Sequence, residues 1–308
     1  LSYLPMAHIA ERALVFMGSV YNPLEIFFNE SLNTFAQDLH HAQVTVFLAV
    51  PRIWTKLQSQ VFATLKDADL QPLLVSNQGA MIAAQIREKL GFKHCKRFAS
   101  GAAPIAPSLL EWYGRIGVDI SEGYGLTETG GMVCSNMPFS KERLGGIGIP
   151  VKGLEVKLSD QGEILVRAAS VFNEYYQNPK ATQEAFDQGW FKTGDRAVVD
   201  EKEGWRITGR FKEQFKTAKG KYVAPVPIEL LVSENTFIEQ VCVTGSGMPQ
   251  PLALVVLNVE NSHKNQEVVD SLNGSLDKVN GELESHERLA CLLYTSDAAD
   301  DSLRVDLG

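Results

Sequence analysis

The run Ser121-Glu-Gly-Tyr-Gly-Leu-Thr-Glu-Thr-Gly-Gly131 gathers three features that belong together. Gly123, Gly125, Gly130 and Gly131 let backbone come close to a ligand. Tyr124 offers an aromatic face. Thr127 and Glu128 set a hydroxyl beside a carboxylate, a pairing suited to a phosphate oxygen and the Mg²⁺ that neutralises it. Taken alone, the run reads better as a glycine-rich turn followed by a capped helix. Its neighbours change that balance.

Just upstream, Val118-Asp-Ile120 reads as a short strand that delivers the run at its C-terminal end. Before it, residues 95–100 form a strand leading into Gly101-Ala-Ala-Pro104 and a helix over 107–116. Strand, glycine-rich turn, helix, strand, glycine-rich turn is the alternation of a parallel α/β sheet. Two such turns meet at the sheet edge, where these folds bind nucleotides. Earlier, residues 44–50 make a near-continuous apolar run that suits a strand buried on both faces. Helical spacing covers 31–40, 52–65 and 80–90, the last stopped by Gly91. Residues 67–77 are poorly periodic and receive no element. Residues 1–6 read as a buried strand, with a helix from Ala7 towards Met17, so His8 follows directly on a strand end.

Beyond Gly145 the pattern turns to period two. Leu154-Glu-Val-Lys-Leu158 and Glu163-Ile-Leu-Val-Arg167 alternate, with turn signals between them, as in an antiparallel β subdomain. A short helix over 183–186 and strands around 190–195 and 204–210 follow. Next come a basic stretch (Lys212, Lys216, Lys219, Lys221), a helix over 229–236, strands over 240–245 and 251–259, and a polar amphipathic helix over 268–289.

The 308 residues are 44% hydrophobic and 21% charged, ordinary for a globular chain with a sizeable core. A net charge of −8 gives no basic footprint for nucleic acid. Cys95, Cys134, Cys242 and Cys291 are scattered without a CxxC pair, which fits a reducing cytoplasm better than a disulfide framework or a zinc site. No apolar run is long enough to span a bilayer, and no signal peptide is evident. Peripheral membrane association stays open. Cys291-Leu-Leu-Tyr-Thr-Ser-Asp-Ala-Ala-Asp300 resembles the translated end of a DNA-library adapter. On that reading residues 291–308 stand outside the fold.

Four stretches carry candidate chemistry. Small residues at Gly101, Ala102 and Ala103 leave room for a flat ring against backbone. In the opening run, Tyr124 can stack on a base while Thr127 and backbone amides of the glycine turn at Gly123 and Gly125 meet a phosphate. In Thr193-Gly-Asp195, a carboxylate matches two neighbouring ribose hydroxyls, although a turn-capping Asp is as good a reading in isolation. In residues 209–220, Arg210 is a fixed fork for ribose or phosphate oxygens. Lys216 and Lys219 suit charge developing on a phosphate or a carboxylate, and a basic run is otherwise a solvated face.

The order and spacing of all four resemble the adenylate-forming superfamily of acyl-CoA synthetases, luciferases and peptide-synthetase adenylation domains. Gly-Tyr-Gly-Leu-Thr-Glu, Lys-Thr-Gly-Asp and Gly-Arg-x-Lys are its core motifs, in that order. Leu4-Pro-Met-Ala-His-Ile-Ala-Glu-Arg12, Val50-Pro-Arg-Ile-Trp54 and Phe215-Lys-Thr-Ala-Lys-Gly-Lys-Tyr-Val-Ala-Pro225 look like the long-chain fatty-acid branch. The resemblance implies an α/β fold: part of a large domain over 1–209, with a parallel sheet and an antiparallel subdomain, then a hinge and a small α+β domain over 210–290. It implies activation of a fatty acid with ATP to an acyl-adenylate and transfer to coenzyme A. By motif, Gly101 to Ala103 and Tyr124 would flank adenine, Thr127 would bind the α-phosphate and Glu128 the Mg²⁺. Asp195 and Arg210 would hold the ribose. Lys212 would mark the hinge, and Lys216 and Gly220 a loop that faces the site during thioester formation. His8 would lie near the acyl and thioester path.

The family's phosphate loop would lie upstream of Leu1 and its adenylation lysine beyond Leu289, so the chain reads as a middle fragment expected to lack adenylation. Two alternatives stand beside this reading. One is a ligase that loads a carrier-protein phosphopantetheine. The other is a degenerate, non-catalytic nucleotide-binding homologue.

Overall fold

The computed structural model describes residues 1–202, 204–257, 266–295 and 304–305. The chain divides into two compact units. The first comprises Leu1–Thr193 and Ala197–Arg206, the second Gly194–Arg196 and the chain from Ile207 on.

The first unit opens with a helical stretch. α1 (Ile9–Glu11) passes into a π-helical segment, Arg12–Met17, and then α2 (Gly18–Tyr21). Residues 1–6 are not the strand their composition suggests. Only Ser2 pairs, in a single bridge to Phe28. Pro5 has no N–H to offer a ladder, and the chain turns at once into α1. His8 therefore does not follow a strand; it caps a helix. The helix expected over 31–40 is α3 (Phe35–Ala42).

The sheet that follows is β1 (Val46–Ala49), β2 (Arg97–Ser100), β3 (Ile120–Leu126), β4 (Gly131–Ser135) and β5 (Ile149–Pro150), in that spatial order. β1, β2 and β3 are parallel. Parallel neighbours need crossovers, and these are helices: α4 (Pro51–Phe62), α5 (Asp67–Leu74) and α6 (Gly79–Lys89) before β2, then α7 (Pro107–Arg115) before β3. Pro51 and Pro107 sit in the first turn of their helices, where the missing N–H costs nothing. Gly91 ends α6 at φ +79°, and a side chain there would strike the Leu39 carbonyl.

Trp54 of α4 is the hub of the core. It is 0% exposed and lies edge-on to Phe47 of β1 and to Tyr113 of α7, at 5.1 and 4.9 Å between ring centres. Its indole donates to the Ala99 carbonyl at 3.3 Å, and Tyr113 donates its hydroxyl to the Trp54 carbonyl at 2.7 Å. One residue thus ties sheet to both helices through buried area and satisfied polar groups. α5 has no counterpart in the periodicity. It contains Pro72 and buries only Leu70. Leu70 is fully buried in the core with Leu74 against it, and Asp67 accepts from the Trp112 indole at 3.0 Å and from Gln71 of the same helix at 2.9 Å.

A second, antiparallel-rich sheet has the order β10-β9-β7-β6, with β8 on β9. These are β6 (Glu155–Leu158), β7 (Glu163–Arg167), β8 (Phe186–Asp187) after α8 (Pro179–Ala185), β9 (Trp190–Asp200) and β10 (Gly204–Arg210).

The second unit holds the hairpin β11 (Phe215–Lys216) and β12 (Tyr222–Val223). α9 (Pro225–Val232) and α10 (Gln266–Glu282) pack with β13 (Ile238–Thr244) and β14 (Leu252–Leu257) around Ile228, Val243, Val255 and Leu272. Residues 258 and 259 of the expected strand lie outside the described residues. β15 (Leu292–Thr295) runs parallel to β14 and pairs with β16 (Arg304–Val305). Leu292 and Tyr294 are buried in this unit's core. Burial alternates along this strand, with Leu293 half-buried between Leu292 and Tyr294.

Candidate functional site

The opening run is not a turn followed by a helix. Its first half is β3, which changes partners midway. Ala99 and Ser100 of β2 pair with Ser121 and Glu122; from Gly123 on, the partner is β4. Beyond Ser100, β2 leaves the sheet and opens a crevice at the carboxyl end of the parallel strands, where such sheets bind ligands. The glycines serve close packing. A side chain on Gly125 would lie 1.9 Å from the Gly131 carbonyl oxygen. At the tip, Thr127–Thr129 make one turn of 3₁₀ helix, and Gly130 follows at φ +73°. Buried Thr129 staples this tip: its hydroxyl accepts from the Leu126 N–H at 3.1 Å and lies 2.8 Å from the Gly131 carbonyl. Nothing in the spacing singled out Thr129.

The crevice holds an apolar cavity of about 140 Å³ within the first unit. It brings together His8, Gly101, Ala102, Gly123, Tyr124 and Gly125 of the candidates. Gly101 rests against β3, since a side chain there would meet the Gly123 carbonyl at 3.1 Å. Ala102 is held at φ +67°, a conformation that costs a residue with a side chain roughly 1–3 kcal/mol. His8 caps α1, with Nδ1 accepting from the Ala10 N–H at 3.2 Å. In the neutral ring the hydrogen is then on Nε2. Ala13 and Leu14, from the π-helical stretch, and Met132 and Met137 complete the apolar wall. Residue spacing missed these four, because the wall comes from elements remote in sequence.

Ala103, Thr127 and Glu128 do not line the cavity. Thr127 is exposed at the hairpin tip. Glu128 accepts from the Tyr175 hydroxyl at 3.0 Å, and its carbonyl accepts from the Phe172 N–H at 2.8 Å. Burial, and then the bond to this carboxylate, raise the Tyr175 phenol above its ordinary range. Among the described residues no cluster of three His, Cys, Asp or Glu side chains could hold a metal alone. A single carboxylate with spare oxygen lone pairs fits Mg²⁺, which is commonly shared between one or two carboxylates, substrate phosphates and water.

Glu122, on β3 between Ser121 and Gly123, is buried and is pushed up to about 8 by that burial, against the pull of the Gly145 amide and of Arg206. It accepts from the Gly145 N–H at 3.0 Å, while Arg206 donates to the Gly145 carbonyl at 2.9 Å.

In the second unit, Asp195 is only 2% exposed and accepts from Arg210 Nε at 2.7 Å. It lies within β9, so it is no turn cap. Lys216 stands 5.5 Å over the Tyr222 ring. The loop between them closes by Gly220 N–H to the Thr217 carbonyl, with Gly220 at φ +78°. Lys212 is exposed in the turn after β10. No helix among the described residues is long and apolar enough to cross a membrane.

The sequence profile described as AMP-binding enzyme matches residues 1–176, and that of the AMP-binding enzyme C-terminal domain matches residues 212–303. The chain is 32% identical over 286 residues to the long-chain-fatty-acid–CoA ligase FadD15 of Mycobacterium tuberculosis, covering 84% of this chain and 47% of that one. It is 29% identical to the peroxisomal long chain acyl-CoA synthetase 7 of Arabidopsis thaliana, covering 83% of this chain and 41% of that protein. Among solved structures it resembles the A domain of the carboxylic acid reductase from Segniliparus rugosus, in complex with AMP and a co-purified carboxylic acid. There the TM-score is 0.77 at 27% identity, over 96% of this chain and 49% of the other. The A-PCP didomain of that reductase, with AMP, gives 0.76 at 27% identity, over 96% and 43%. The chain spans about half the length of the curated relatives it matches.

Proposed function

The chain belongs to the AMP-binding enzyme family, and on that premise we propose that its protein activates a fatty acid with ATP and passes the acyl group to coenzyme A. The observation that carries this reading is the apolar cavity with His8, the Gly101–Ala102 turn and Tyr124 on its walls. An apolar pocket with few polar groups suits an alkyl chain next to an aromatic base.

In the first step a carboxylate oxygen attacks the α-phosphorus of ATP and pyrophosphate leaves. Gly101 to Ala103 and Tyr124 hold the adenine between backbone and ring. Asp195 and Arg210 take the ribose hydroxyls, and Thr127 the α-phosphate. Glu128, oriented by Tyr175, would hold Mg²⁺, which neutralises phosphate charge when bound. In the second step the thiol sulfur attacks the acyl carbonyl carbon and AMP leaves. His8 borders that path. Lys212 serves as the hinge, and Lys216 and Gly220 form the loop that meets the anionic ligand. Similarity to FadD15 and to the plant synthetase supports the long-chain acid and the coenzyme A acceptor. A second reading, in which a carrier-protein thiol accepts the acyl group, is favoured by the likeness to a didomain that includes a PCP.

Titration of the chain with palmitoyl sulfamoyl adenosine, a hydrolysis-resistant mimic of the acyl-adenylate, tests the reading. Saturable binding is expected, weakened roughly 5- to 100-fold by Tyr124→Ala through lost stacking. Absence of binding, or equal binding by the variant, refutes it.

A further inference from the structure

The cavity floor is one face of the first sheet, and register assigns its residues. Leu48 pairs with Ala99, Ala99 with Ser121, and Gly123 with Ser135. Paired residues share a face and neighbours along a strand alternate. Leu48, Ala99, Ser121, Gly123 and Ser135 therefore lie on one face, and all five line the cavity. The only polar side chains among them are the two serines, set diagonally across Gly123 at roughly 7–8 Å by sheet geometry. Ser135 is 5% exposed, and its hydroxyl is buried with no hydrogen-bond partner. Ser100 also lines the cavity and has an equally unpartnered hydroxyl; it alternates to the other face of β2 from Ala99, so Ser135, on the face shared with Ser121, carries the argument. Met132 covers Gly123: a side chain at Gly123 would meet its methyl at 3.3 Å. A thioether is the side chain most easily swung aside for a ligand.

An unpaired buried hydroxyl in an apolar floor is costly until something satisfies it. A site with such a group discriminates for substrates that bring the matching oxygen. The cavity, about 140 Å³, is close to the roughly 150 Å³ that admits a benzene ring, so some six carbons of a substrate fit. We propose that Ser135, with Ser121 beside it, makes this pocket selective for carboxylic acids that carry a hydroxyl or oxo oxygen on the part of the chain that enters it, over the unsubstituted acid of equal length. This deepens the acid-activation reading and rests on it.

The test uses sulfamoyl adenosine conjugates of octanoate and of 2-, 3-, 4-, 5- and 6-hydroxyoctanoate, titrated into the chain and into Ser135→Ala. One hydroxylated conjugate is expected to bind about tenfold tighter than the octanoyl conjugate, the worth of one buried hydrogen bond, and Ser135→Ala should abolish that preference alone. If no conjugate binds, the acid-activation reading fails and takes the proposal with it. If all bind alike, or the preference survives in the variant, only the proposal fails. Thermal unfolding of the ligand-free chain adds an independent readout. Ser135→Ala should melt no lower than the parent, and a drop of several degrees would mean that a resident water already satisfies the hydroxyl, which overturns the proposal.

Discussion

Replacing Glu122 by Gln should remove a specific part of the pH dependence of stability. Burial raises this carboxyl from 4.5 to about 8, so the folded state favours the protonated form. Below pH 4.5 the group is protonated in both states and the fold has its full stability. Between 4.5 and 8 the unfolded chain ionises while the folded chain does not. Stability then falls by about 1.4 kcal/mol per pH unit and levels off above 8. From pH 5 to pH 8 the loss is about 3–4 kcal/mol. Gln keeps an acceptor for the Gly145 N–H but cannot ionise. Urea unfolding of parent and variant at pH 5, 6, 7 and 8, followed by tryptophan fluorescence, measures it. All four tryptophans (Trp54, Trp112, Trp190 and Trp205) belong to the first unit. The difference in unfolding free energy, parent minus variant, should shrink or reverse by that amount across the range. Parallel pH profiles would refute the argument, because they would mean that Glu122 titrates alike folded and unfolded.

Gly125→Ala should destabilise the first unit by several kcal/mol, because its Cβ would fall 1.9 Å from backbone at Gly131; chemical denaturation checks this. Ala102→Gly should leave stability unchanged or raise it by about 1 kcal/mol by relieving the left-handed backbone, a difference read from the melting midpoint. Asp195→Asn should cost about 1.5–3 kcal/mol through loss of the charge-assisted bond from Arg210, measured by urea unfolding of the second unit. Tyr175→Phe should raise several-fold the Mg²⁺ concentration needed for half-maximal nucleotide binding, since Glu128 loses the hydroxyl that orients it; calorimetric titration at stepped Mg²⁺ reads the shift.

Tyr124 and the glycines Gly101, Gly123 and Gly125 stood out in the sequence because few roles call for those types at that spacing. The structure gathers His8, Gly101 and Tyr124 at one cavity. What stayed hidden depends on register. The glycines of β3 read as a turn because nothing local shows that Gly125 must clear the returning strand. Ser135 and Met132 reach the cavity only through the pairing of β3 with β4. The strand expected over 1–6 failed because apolar composition cannot supply the N–H that Pro5 lacks, and α5 went unseen because it contains Pro72 and buries Leu70 alone, which leaves no apolar stripe to read. Residues 292–295 pair with β14, and Leu292 and Tyr294 of them are buried.

The π-helical stretch Arg12–Met17 has a consequence for how this pocket can change. It packs more residues into each turn than an α-helix does, and Ala13 and Leu14 on it form part of the cavity wall. Deleting one residue there would restore α-helical winding and leave the helix beyond nearly in phase, because the wide turns absorb about one extra residue, so the residues of this stretch, Ala13 and Leu14 among them, would exchange their facing in a single event. Point substitutions tune the pocket by a methyl group at a time. Chain length in this one segment acts as its coarse adjustment, so two relatives that differ by one residue here are expected to differ in acid preference more than their overall identity suggests.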